Sequence, residues 1–151
     1  MKFIKGFYPK FRVSTGKKLS GDVNPIKYDI IDCNHEIEYN NGVVLIIRPG
    51  WYTFSANIRG DDSMRADQFT NFWIAINQSH ESHGGTWVDF LTDKMCMAAY
   101  FNYLHFSPGR GHSTTQYTGY FKQFDMVHTR VITTVSRGHK HDQWFEGRMI
   151  P

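Results

Sequence analysis

The chain has 151 residues, 16% of them aromatic and 21% charged, with a formal net charge of +3. That length suits one folding domain with a core of its own. The mild basic excess, with no run denser than Lys17-Lys18, falls short of the stripe that marks a nucleic-acid binder, and no apolar run is long enough to cross a bilayer as a helix.

In chain order, Met1 to Lys10 has a basic start but no apolar h-region before Pro9. The protein is therefore expected to be cytosolic or to have lost a leader. Phe11 to Thr15 alternates as a strand does, and Gly16 to Gly21 reads as a loop. Pro25 introduces a second run, Ile26 to Ile31. Asn40-Asn41-Gly42 marks a hairpin turn, because Asn and Gly tolerate the positive φ such turns need. Val43 to Ile47 follows as an apolar, buried strand, and Pro49-Gly50 turns the chain again. Along Trp51 to Ile58, alternation puts Tyr52, Phe54, Ala56 and Ile58 on one face and Trp51, Thr53, Ser55 and Asn57 on the other.

Gly60 to Asp67 is a polar loop, Phe69 to Ile76 a strand and Trp87 to Leu91 a short one. Lys94 to Phe106 is apolar. Met, Ala and Leu favour a helix there, but the aromatics and the neighbouring strands favour a strand. Ser107 to Thr115 is a Gly/Pro/Ser loop, Tyr117 to Phe124 and Val127 to Val135 are strands, and Trp144 to Ile150 closes the chain. About ten short strands with little helix define a sandwich, jelly roll or barrel.

One stretch is more specific. Tyr28, Asn34 and Tyr39 fall at the intervals aromatic, five residues, Asn, four residues, aromatic, and Gly50-Trp51-Tyr52-Thr53-Phe54 follows as Gly-x-Tyr-x-Phe. This resembles the globular head of complement C1q-like proteins, in the superfamily shared with tumour-necrosis-factor-like cytokines. Phe11-Arg12-Val13 is similar to the family's first strand, and Phe145-Glu146-Gly147-Arg148-Met149-Ile150-Pro151 to its last. The segment between Tyr39 and Gly50 is shorter than the family's, and Arg148 stands where a large apolar residue is usual. Residues 60–125 match only around Phe72 to Asn77.

The resemblance implies a single C1q-like jelly roll over residues 1–151, all-β and trimeric about an aromatic-rich axis. It implies a secreted, non-catalytic, lectin-like or pattern-recognition protein whose partners are copies of itself and an extracellular glycan or protein. A tumour-necrosis-factor-like receptor ligand and a structural matrix trimer share the scaffold. No cofactor is required. Calcium is an option, since some heads of this family hold it in apex loops, and Asp61, Asp62 and Asp67 would supply oxygens. They lack the fixed cadence of a defined calcium loop.

Other chemistry is thinly supported. His80 and His83, and His139 and His141, do not reach the four convergent ligands of a structural zinc site. His139-Lys140-His141 partly matches a cupin-type metal enzyme, the remaining alternative. There is no Gly-x-Ser-x-Gly elbow. Cys33 and Cys96, if joined, would stabilise by about 4 kcal/mol, but spacing alone does not show that they meet. Asn77-Gln78-Ser79 is a glycosylation sequon. Because scaffolds carry function on loops, the ligand site is expected in residues 79–125, on Trp87, Tyr103, His105, Arg110 and His112, where aromatic faces stand among polar groups.

Overall fold

The structure is a computed structural model and describes residues 8–59, 69–76, 99–104, 112–137 and 143–151. Among them are eleven strands: β1 (Lys10–Thr15), β2 (Leu19–Val23), β3 (Ile30–His35), β4 (Ile37–Asn40), β5 (Val43–Ile46), β6 (Gly50–Arg59), β7 (Phe69–Ile76), β8 (Ala99–Leu104), β9 (His112–Phe121), β10 (Met126–Arg137) and β11 (Gln143–Met149). They form two antiparallel sheets. One is five-stranded in the order β3-β1-β11-β6-β9. The other runs β4-β5-β10-β7-β8, with β2 also on β10. No helix among the described residues is long and apolar enough to cross a membrane.

The inner faces meet as an aromatic core. β6 turns Tyr52, Phe54, Ala56 and Ile58 inward, all buried, to face Val44 and Ile46 of β5, Phe72 and Ile74 of β7, and Val127 and Val131 of β10. The Phe54 ring lies 4.9 Å from Phe121 in an edge-on arrangement and 6.0 Å from Phe145. Burying each such ring contributes about 1.5–3 kcal/mol. Gly147 of β11 sits where these rings crowd the backbone. A Cβ there would fall 2.5 Å from Phe54 and 2.7 Å from Phe11.

The β4–β5 hairpin follows from its turn residues. Asn41 at φ 49° and Gly42 at φ 91° both occupy the left-handed region, as a tight hairpin turn requires. The strand that follows alternates instead of being buried throughout: Val44 and Ile46 face the core, while Val43 and Leu45 are half-buried.

Several expected boundaries are corrected, among them the strand Tyr117 to Phe124, which ends at Phe121. The run from Ile26 to Ile31 is not one strand, and β3 starts only at Ile30. Ile26 and Tyr28 do point into the core, but the N–H and the C=O of Tyr28 are both occupied by the Tyr39 hydroxyl, leaving nothing for a sheet ladder. The expected Gly16–Gly21 loop is strand from Leu19 onward. Buried Leu19 anchors it, and Gly21 and Asp22 pair with Thr133 and Ile132 of β10 across an irregular register. The expected loop through Thr115 ends early, because β9 starts at His112, opposite Arg59 of β6. Of the apolar stretch 94–106, the described part is the strand β8. The expected strand at Trp87 lies outside the described residues.

Candidate functional site

The outer face of the five-stranded sheet carries exposed aromatic side chains and a matched ion pair. Alternation along each strand selects them: where Tyr52 and Phe54 point in, Trp51, Thr53 and Ser55 point out. Trp51 of β6 stands directly opposite Tyr120 of β9. Their rings meet edge to face at 6.1 Å, and each residue is 56% exposed. Beside them, Thr118 donates to the Thr53 hydroxyl at 2.9 Å.

Further along the face, Arg12 of β1 is opposite Glu146 of β11. Its Nη1 lies 2.7 Å from the carboxylate, and its guanidinium sits 4.9 Å over the Trp144 ring. Ser55 donates to the other carboxylate oxygen at 3.3 Å. The charge in the middle of this face is thus matched within the sheet. At the end nearer Pro9 and Ile150, the row across β3, β1 and β11 reads His35, Lys10, Arg148. It is flanked by Arg48, whose guanidinium lies 5.6 Å from the Tyr8 ring. Phe124, at the β9–β10 turn, is 63% exposed and held at φ 70°, its N–H donating to the Ile46 carbonyl at 2.6 Å.

The other sheet has a buried polar cluster on its outer side. Arg130 of β10 is almost wholly buried and forks onto Asp22 of β2, Nε at 2.9 Å and Nη2 at 2.7 Å. Its guanidinium lies 5.3 Å from the ring of buried Trp73. Beside it, buried His128 places Nε2 2.9 Å from Asn24 Oδ1. A bidentate Arg–carboxylate pair over an indole meets the requirement that a buried charge be paired. Sequence reading passed over it, since a lone Arg in an alternating strand does not say that a partner 108 residues away will reach it.

Of the hallmark residues, Tyr28, Tyr52 and Phe54 are buried. Tyr28 is buried and bonded through its hydroxyl to Thr129 at 2.8 Å. Asn34 is exposed on β3 opposite Phe11. A side chain on Gly50 would run into Met149, and the Tyr52 hydroxyl donates to the Arg48 carbonyl at 2.6 Å. Burial pushes the Tyr52 phenol up to about 12, with Arg48 opposing the rise.

Of the residues expected to bind ligand, Trp87, His105 and Arg110 lie outside the described residues, as do Asn77 and the aspartates and histidines weighed for metal. Tyr103 stands in β8 opposite Thr70 of β7, and His112 in β9 opposite Arg59. Cys33 is exposed and free, and Cys96 lies outside the described residues. Among the described residues no group of three or more His, Cys, Asp or Glu side chains could hold a metal ion.

Two antiparallel sheets in this order, packed over an aromatic core, define a jelly roll of the tumour-necrosis-factor type. The particular structures it resembles include murine APRIL at pH 5.0, with a TM-score of 0.67 and 7% identity over 95% of this chain and 100% of that chain. They also include murine APRIL at pH 8.5, with a TM-score of 0.60 and 9% identity over 95% of this chain and 100% of that one. At such identity the likeness is one of fold. No family model and no curated protein matches the sequence.

Proposed function

We propose that this chain is a non-catalytic, extracellular ligand-binding module of the C1q/tumour-necrosis-factor type that acts as a homotrimer. The observation that carries the reading is the exposed ring pair Trp51–Tyr120 on the outer face of the five-stranded sheet. Large amphipathic rings left in water are characteristic of the centre of protein interfaces. The jelly-roll fold shared with murine APRIL supports the same reading. The experiment is sedimentation velocity on the intact chain and on Trp51→Ser/Tyr120→Ser. The reading expects trimer for the first and dissociation for the second. An unaltered trimer in the variant would place the interface elsewhere.

The ligand belongs to the segment 79–125, with Trp87, Tyr103, His105, Arg110 and His112 as its contacts, and is a glycan or a protein. A glycan array run with and without calcium tests the lectin-like form. The receptor-ligand form takes its support from the likeness in fold to murine APRIL, and a screen of cell-surface ectodomains separates it from the first.

A further inference from the structure

We propose that the cleft at the Lys10–Arg148 end of the five-stranded sheet binds a small amphipathic anion, a single acidic head on an apolar body. Lys10 of β1 sits in direct cross-strand register with His35 of β3 on one side and with Arg148 of β11 on the other. Basic groups set directly opposite one another across a sheet destabilise it. In the next row of the same face Arg12 is met by Glu146 at 2.7 Å. Lys10 and Arg148 form no ion pair with any described residue. The Glu36 carboxylate lies 3.9 Å from His35 and 3.8 Å from Arg48.

The second observation is the shape of the place. Lys10, His35 and Arg148 line a cavity of about 550 Å³ together with Tyr8, Pro9, Met149, Ile150 and Pro151, whose side chains are mostly apolar. That volume lies within the range of small-molecule sites, which are mostly apolar with a few placed polar groups. An Arg fork beside a Lys suits a carboxylate or a sulfate, which the guanidinium takes through two parallel N–H donors. The apolar wall gives a hydrocarbon body somewhere to go. A bare inorganic anion uses half of such a site, and an uncharged lipid the other half. Ile150 of the cleft wall donates its N–H to the Trp51 carbonyl at 2.7 Å, so the cleft borders the face that bears Trp51 and Tyr120.

The test is calorimetric titration of the whole chain with decanoate and with decyl sulfate, each kept below its micelle concentration, and with decanol and inorganic sulfate as half-ligands. Both amphipathic anions are expected to bind with one site per chain. Each half-ligand is expected to bind weaker by about tenfold or more, the factor that about 1.4 kcal/mol produces. The double variant Lys10→Ala/Arg148→Ala removes two exposed side chains. It is expected to keep or raise the thermal midpoint of the parent and to bind decanoate about tenfold more weakly or worse. Decanol binding as tightly as decanoate, inorganic sulfate as tightly as decyl sulfate, or an unchanged affinity in the double variant would each overturn the proposal.

Discussion

The Tyr39 hydroxyl holds both backbone polar groups of Tyr28: it accepts from the N–H at 2.8 Å and donates to the C=O at 2.9 Å. One side chain on β4 thereby replaces a strand partner for the segment that delivers Ile26 and Tyr28 to the core. Tyr39→Phe removes both bonds and leaves two backbone groups without them. The expected cost is about 1–3 kcal/mol, the penalty for stranding a buried polar group. Urea unfolding measures it, and a change near zero would mean that water replaces the hydroxyl.

The same tyrosines set an upper pH limit. Burial raises the phenol of Tyr28 far above its ordinary value, with the Thr129 bond opposing and Tyr39 adding to the rise. Burial raises Tyr39 as well, and Tyr52 to about 12. An unfolded chain begins to release phenolic protons near pH 10 while the folded chain keeps them. Stability is therefore fully present below about pH 10 and falls as the pH rises from there, Tyr52's share being lost through about 12. Thermal midpoints across this window, read with tyrosinate absorbance, are expected to fall together with delayed ionisation. Tyrosines that ionise as a single class near pH 10 would contradict the packing described.

Gly147→Ala is expected to destabilise by about 1–3 kcal/mol, since its new Cβ would press on the Phe54 and Phe11 rings. Phe54→Ala, which empties the centre of that cluster, is expected to cost about 3–5 kcal/mol. By contrast Glu146→Gln, at a half-exposed ion pair, is expected to cost under about 1 kcal/mol. Denaturant midpoints on the three variants test the ranking. A Glu146 variant weaker than the Phe54 variant would invert the account of what holds the sandwich.

What could be read from the sequence was what neighbours along the chain decide. Alternation put Tyr52 and Phe54 on one face, and both are fully buried. Asn41-Gly42 specified its own turn, because two left-handed residues in a row suit few other pairs. What escaped depends on distant partners. β2 looked like a polar loop because Gly21 and Asp22 carry no strand signal of their own, and it is the edge of β10 that makes them one. The row His35, Lys10, Arg148 was invisible for the same reason, as its members come from three separate parts of the chain. Asn57 was placed on the outward face by alternation, yet it is buried and accepts from the Thr114 hydroxyl at 2.9 Å, a partner on the neighbouring β9.

The central claim is that this jelly roll works as an assembly of like chains through the face that bears Trp51 and Tyr120. Light scattering coupled to size exclusion on the intact chain at micromolar concentration tests it most directly. The account predicts a particle of three times the mass of one chain, lost when both rings are replaced by Ser. A particle with the mass of one chain, its Trp51 and Tyr120 rings left in water, would contradict it.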